Sequence, residues 1–228
     1  MYRRVIFWFK RDLRIDDNRA LFEACQNSFE VIPVFIFIPS ILERFKSYDR
    51  RTGFLIESLK HLSKEIEKKG GRLYCFHDEP QRVFLTLIRK YGIQAIFTNR
   101  AFSWSGEEVE ETVKKLCLNE GVDFVTFNDN FLAEIDKIPY RKIYSKFYRY
   151  WEQNLRLTEV SSPERINTPK LNEPEIDIVA SEISHEKNIV WKPDFGIRRL
   201  KEFDFNRYEE LRDRLDIDGT SKLSPYIR

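Results

Sequence analysis

The chain has 228 residues, and 39 Lys and Arg against 37 Asp and Glu leave a formal charge of only +2. No global positive field therefore marks a nucleic-acid partner, so any such contact must be local. The length allows one full-sized core plus a tail or part of a second domain; MYRRVIFWF is interrupted by Lys10 too soon for a signal peptide, and no apolar run nears the roughly 20 residues that span a bilayer, which predicts a soluble, cytoplasmic protein without a membrane partner.

In chain order, β-branched and aromatic runs predict strands near Arg4 to Phe9, Val31 to Phe37, Arg72 to Phe76, Ala95 to Thr98 and Phe124 to Phe127. Between them, Leu55, Leu59, Leu62 and Ile66 repeat at helical spacing, as do Val83, Leu87 and Tyr91, then Val109, Val113 and Leu116. Asp17 is the expected N-cap of a helix over NRALFEAC. Near-continuous apolar strands alternating with helices predict an α/β fold: a Rossmann-like, doubly wound, five-stranded parallel sheet covered on both faces. The segment from Tyr140 to Trp151 mixes bases with aromatics; its period predicts a helix burying Ile143, Phe147 and Tyr150 rather than a nucleic-acid patch. Residues 156 to 195 hold no sustained period and read as an interdomain linker. Apolar spacing resumes at Ile197, Leu200 and Phe203, then at Tyr208, Leu211 and Leu215, predicting two short helices before a terminal loop.

Cys25, Cys75 and Cys117 have no CxxC spacing and fall in apolar runs, which predicts buried free thiols. His61, His77 and His185 are scattered, so no metal site is expected. No GxGxxG follows the first strand, so the usual dinucleotide fingerprint is missing. In an open sheet of order 3-2-1-4-5, the ligand crevice lies where strand order reverses, between strands one and four. That topology sets Phe9 to Arg14 opposite Asn99 to Trp104. Arginines and aromatics there could hold a planar anionic chromophore. The alternative is that Arg11, Asp12 and Arg14 form an ion-pair lattice ordering the first loop, and spacing alone favours that alternative.

The segments WFKRDLRIDDNRAL, VIPVFIFIP, RRTGFLIESLKHLSKEI and IPYRKIYSKFYRYW together resemble the photolyase/cryptochrome family over residues 1 to 155. The resemblance resumes from 196 to 228 with RYEELRDRLDIDGTSKLSPYI, similar to the entry of that family's FAD domain. It implies an antenna domain at 1–155, the linker at 156–195, and at 196–228 the first helices of a truncated all-α FAD-binding domain.

The resemblance also implies an auxiliary pigment, a folate, deazaflavin or flavin, in a pocket that includes Phe9, Arg11, Phe35, Arg51, Asn99 and Arg100. Arg100 or Ala101 stands where relatives often carry an acidic residue, so deazaflavin contacts do not carry over and the antenna identity stays open. Thr220, Ser221, Leu223 and Ser224 match positions that hold the FAD phosphates, and Tyr208 matches a tyrosine contacting the same cofactor. Lys222 replaces a frequent arginine, keeping charge but losing the bidentate fork. A capped turn is the plain reading of the same loop without the resemblance.

The function implied is that of the N-terminal part of a DNA photolyase, a carbon-carbon lyase repairing pyrimidine dimers by light-driven electron transfer from reduced FAD. No matched residue does proton chemistry, so no catalytic residue is assigned. Damaged DNA would be met through the helical domain missing from this sequence, for which a separate C-terminal chain is a candidate partner. Alone, the chain is expected to be inactive, with its last residues poorly anchored. A cryptochrome-type photoreceptor and a stand-alone flavin-binding antenna module are the alternatives.

Overall fold

The computed structural model describes residues 1–44, 49–129, 131–133, 142–155, 159–187 and 193–226. Five strands, β1 (Tyr2–Phe9), β2 (Ser28–Phe37), β3 (Tyr74–His77), β4 (Ala95–Asn99) and β5 (Asp123–Phe127), form one sheet of order β3-β2-β1-β4-β5. Every pairing is parallel, with Phe9 opposite Phe35 on β2 and Phe7 opposite Phe97 on β4. Fold class and strand order are those expected from the sequence.

Alternation explains how the unbroken apolar strands are buried on both faces. On one face Val5, Phe7, Phe9, Val31 and Phe35 pack with Leu21 of α1 (Arg19–Asn27) and with Ile56, Leu59, Leu62 and Ile66 of α3 (Asp49–Lys68). On the other, Ile6, Trp8, Ile32 and Val34 pack with Phe84 and Leu87 of α4 (Pro80–Tyr91) and with Val113 and Cys117 of α5 (Trp104–Glu120). A short α2 (Pro39–Arg44) follows β2. Helices α4 and α5 both stop at a glycine in the left-handed region, Gly92 and Gly121.

Two local expectations are corrected. The N-cap of α1 is Asn18, whose Oδ1 accepts from Leu21 N at 3.2 Å. Asp17 instead sits at φ 46 and accepts from Val160 N at 2.9 Å, pinning a distant segment. The aromatic-basic stretch does form a helix, α6 (Tyr144–Gln153), but none of its residues is buried: Ile143 and Tyr144 are exposed, and Phe147 and Tyr150 are half-buried. Residues 140 and 141 of that stretch lie outside the described residues.

The segment read as a linker straps the sheet. Val31 N donates to Asn167 O, Ile166 N to Lys69 O and Cys75 N to Pro174 O, each at 2.9 Å. The last bond satisfies a donor of edge strand β3, which limits exposure of an open edge. Ile166 is fully buried, and α7 (Ile176–Glu182) buries Ile176, Val179 and Ala180. A Cβ on Gly71 would lie 2.7 Å from Ile66 Cγ2 and 3.0 Å from Ile166 Cβ, so strap and sheet approach closely there.

Beyond the strap lie α8 (Pro193–Glu202), a 3-10 turn (Phe205–Arg207), α9 (Tyr208–Leu211) and a second 3-10 turn (Ser224–Tyr226). Ile197, Leu200, Phe205 and Leu215 are exposed, yet the last loop is not loose. Tyr226 meets Phe54 of α3 edge-to-face at 5.6 Å, and Leu223 is buried.

If the strap carries core energy, Ile166→Ala should lower the unfolding free energy by about 2–5 kcal/mol, the range for deleting a buried Ile side chain. Urea unfolding followed by far-ultraviolet circular dichroism measures it. A loss below about 0.5 kcal/mol, usual for surface substitutions, would mean the strap is peripheral.

Candidate functional site

The parallel order leaves a crevice between the loops after β1 and β4, because α1 and α5 leave the sheet on opposite faces. Protein side chains occupy its floor. Asp12, 4% exposed, accepts from Lys10 N (3.0 Å), Asn18 Nδ2 (3.3 Å) and Asn99 Nδ2 (2.6 Å). Asn99 Nδ2 also lies 2.9 Å from Asn18 Oδ1, and Asn99 Oδ1 accepts from Ala20 N at 3.2 Å. Both polar atoms of Asn99 are therefore engaged inward. Arg14 pairs with Asp129 at 2.6 Å and donates to Asp17 O, tying the first loop to the end of β5. Burial raises the Asp129 carboxyl above its usual range, and Arg14 opposes that shift.

The structure brings Phe9 to Arg14 opposite Asn99 to Trp104, as the topology requires. The residues proposed for a pigment divide into two groups. Phe9, Phe35 and Asn99 are buried; Arg11 and Arg51 are exposed, and Arg100 is half-buried over the ring of Phe102 at 5.0 Å. The ion-pair lattice envisaged as an alternative exists in part: Asp12 and Arg14 order the loop, while Arg11 points to solvent. On the α5 side, Lys10 Nζ pairs with Glu110, and Ala101 N donates to Glu110 Oε1 at 2.6 Å. Burial pushes the Lys10 amine below its ordinary range, and Glu110 counters it.

A second feature is the terminal loop. Arg199 of α8 donates to Thr220 O (2.9 Å) and Ser221 O (3.2 Å), drawing two carbonyls to one side. Lys222 takes a left-handed conformation, φ 55, and pairs with Asp218 at 2.8 Å. Among the described residues the N–H groups of Thr220, Ser221 and Lys222 have no acceptor. Successive backbone N–H groups in a right- then left-handed pair of residues make anion-binding concavities elsewhere, and Lys222 supplies the left-handed member of such a pair here. Gly219 seats the loop on α9: a Cβ there would stand 2.1 Å from Leu211 O. Leu223 is buried and Ser224 exposed, and Tyr208, 42% exposed, lies against Phe203 with Arg212 over its ring.

Sequence reasoning missed Asn18, Glu110, Asp129 and Arg199. Asn18 carried a signal, being a capping residue beside Asp17; the others act through contacts that spacing does not reveal. It also missed an open groove of about 690 Å³ between Leu13 to Asp16, His61, Leu62 and Glu65 of α3, and Ile197, Arg198 and Lys201 of α8. Among the described residues no helix is long and apolar enough to cross a membrane.

The sequence matches the family model described as DNA photolyase over residues 5–170. It is 30% identical over 251 residues to the deoxyribodipyrimidine photo-lyase of Agrobacterium fabrum, covering 98% of this chain and 50% of that protein. Cryptochrome DASH of Xenopus laevis is 28% identical over 150 residues, 63% of this chain and 29% of that one. The fold superposes with TM-score 0.80 and 26% identity on the crystal structure of an archaeal photolyase from Sulfolobus tokodaii, described as having two FAD molecules and implying a novel light-harvesting cofactor; 98% of this chain and 51% of that chain are covered. The chain spans about half the length of the photolyase relatives it matches.

Two measurements probe this chemistry. Asn99→Ala removes a donor to a buried carboxylate and orphans Ala20 N, which should cost about 2–3 kcal/mol in urea unfolding. Burial holds the Cys25 thiol at about 12 and Cys117 at about 11, and raises Cys75 further. At pH 8 so little thiolate forms that iodoacetamide should label the native chain about a hundredfold more slowly than the urea-unfolded chain; Cys25 is only half-buried, against expectation, whereas rapid native labelling of Cys75 or Cys117 would contradict its burial.

Proposed function

This chain belongs to the DNA photolyase and cryptochrome family, and on that premise we propose that it serves as the N-terminal part of a deoxyribodipyrimidine photolyase, a carbon-carbon lyase that repairs DNA. In this reading residues 1–155 form the light-harvesting unit, 156–195 connect it, and 196–228 begin the FAD-binding domain. Damaged DNA is met by the helical domain that the family resemblance implies, on the same polypeptide or on a separate chain.

One observation carries the FAD assignment: the free N–H groups of Thr220, Ser221 and Lys222, with two loop carbonyls turned toward Arg199. A pyrophosphate is an anion that such donors can hold without a carbonyl opposing it. Thr220 and Ser221 contribute N–H and hydroxyl groups, and Ser224 a hydroxyl. Leu223 anchors the loop, Lys222 adds charge, and Tyr208 sits on the helix beneath. Reduced FAD, when bound, supplies the light-driven electron that splits a pyrimidine dimer. The chain's own residues bind and orient.

Arg11, Arg51 and Arg100 are the cationic side chains assigned to an anionic, planar antenna pigment, with Phe9 and Phe35 buried beneath them. Asn99 shapes the crevice floor through Asp12. The two FAD molecules of the Sulfolobus tokodaii protein make a flavin the first pigment to test. Similarity to a cryptochrome supports a second reading, a blue-light photoreceptor using the same FAD grip without repair.

The isolated chain should bind FAD weakly or not at all, because the loop supplies only phosphate contacts and ordering each residue costs about 1–2 kcal/mol. Joining it to the helical half of a photolyase, fused or in trans, should restore tight FAD binding and light-dependent dimer splitting. Flavin binding without splitting favours the photoreceptor, and tight FAD binding by the isolated chain overturns the divided-site reading. Arg11→Ala with Arg51→Ala should abolish retention of added flavin or deazaflavin in the antenna crevice; unchanged retention removes that assignment.

A further inference from the structure

The two arginines at the mouth of the β1–β4 crevice are each bracketed by anchored neighbours. Arg11 lies between Lys10 and Asp12. The Lys10 amide donates to Asp12, the Lys10 amine reaches Glu110, and Asp12 is held by Asn18 and Asn99. Arg100 lies between Asn99, locked to Asp12, and Ala101, whose amide donates to Glu110 Oε1 at 2.6 Å. Arg100 N itself donates to Phe127 O at 2.8 Å. The loops after β1 and β4 are thus joined twice, by Asp12–Asn99 on the α1 side and by Lys10–Glu110–Ala101 on the α5 side.

Glu110 is 8% exposed, and one of its oxygens serves both partners. An apolar pair of similar volume in place of Lys10 and Glu110 would often fold as well or better, because burying two charges offsets much of their attraction. It could not accept the Ala101 amide. Lys10 also spans Trp8, its amine 5.0 Å from the ring, which fixes its stem along β1. The arrangement therefore fixes loop geometry in a way that core stability does not require.

We infer that Glu110, with Lys10, is a positioning pair that orders the two loop backbones carrying Arg11 and Arg100 for contact with an anionic planar pigment. This rests on the antenna crevice assigned above. Its action is preorganisation: loops already ordered lose less freedom when a ligand binds. Sequence offers no sign of it, since Lys10 and Glu110 are 100 residues apart.

The test compares Lys10→Met with Glu110→Leu as a double variant, Glu110→Gln, and Arg11→Ala with Arg51→Ala. Hydrogen exchange over residues 100–104 reports the loop without any ligand, and titration with FMN reports the crevice. The double variant should keep a near-native urea midpoint, exchange those amides about tenfold faster, and bind FMN about tenfold more weakly. Glu110→Gln retains an acceptor for Ala101 and should restore the slow exchange. A merely structural role would shift the midpoint and not the affinity. Unchanged exchange in the double variant overturns the inference, as does fast exchange with native FMN affinity. If the wild-type chain binds no FMN, or binds it equally without Arg11 and Arg51, the crevice assignment fails by itself. Exchange then still decides whether Glu110 holds the loop.

Discussion

The buried carboxylate of Asp12 is the interaction on which the α/β unit turns. Strand order places β1 beside β4 with no helix crossing between their ends, so a gap opens at the point where the chain reverses direction. Asp12 occupies it and gathers Lys10 N, Asn18 Nδ2 and Asn99 Nδ2. Hydrogen bonds to a charged acceptor contribute about 1.5–3 kcal/mol each, enough to fix both loops. The consequences spread outward. Asn18, held by Asp12, caps α1, and Asn99, held by Asp12, receives the amide of Ala20 in the same first turn. The negative charge also lies beside the positive end of α1. One side chain thus sets the first loop, the entry of the first helix and the end of the fourth strand together.

Away from that point the chain divides by how well its apolar surface is satisfied. The sheet is covered on both faces and strapped along β3, with Phe7, Phe9, Phe37 and Phe84 fully buried or nearly so. In α6 the rings of Tyr144, Tyr148 and Trp151 form a ladder at about 6 Å spacing on a helix that buries nothing. A ten-residue helix without packing is marginal by itself. The stretch from Ile197 to Ile217 shows the same imbalance, with Leu215 wholly exposed. Such faces are unsatisfied among the described residues.

What could be read in the sequence follows from where the information lies. Strands were legible because parallel strands bury both faces and so print as unbroken apolar runs, as VIFWF and VFIF do. Strand order and the opposition of Phe9–Arg14 to Asn99–Trp104 followed from topology. The N-cap was misplaced by one residue because Asp17 and Asn18 are both good caps; backbone handedness decides, and Asp17 takes the left-handed position. Helix α7 was hidden by prolines around a single two-turn pattern, Ile176, Val179, Ala180 and Ile183. For α6 the period was right, but periodicity names a face to be buried and cannot name what buries it. Of the candidate site, the arginines and the terminal loop could be proposed from residue types alone. Glu110, Asp129 and Arg199 were not, since each acts on a loop far away in sequence.

The terminal loop faces the opposite electrostatic problem from Asp12. There a carboxylate needs donors; here three backbone N–H groups have no acceptor among the described residues while a carboxylate, Asp218, stands close by. Lys222 at 2.8 Å and Arg199 at 3.5 Å both pair with Asp218, so the three groups together retain one positive charge. Hydrogen bonding from Lys222 and the nearby cations hold the Asp218 carboxyl below its usual range, keeping it ionised and paired. Paired in this way, Asp218 does not repel a phosphate as a bare carboxylate would; it fixes Lys222 in a left-handed conformation that costs a non-glycine residue about 1 kcal/mol or more. Arg199, holding the carbonyls of Thr220 and Ser221, removes the competing acceptors from the same side. A capped turn would need neither the strained lysine nor the arginine behind the loop, and that difference is what favours the proposed phosphate grip over the plain turn.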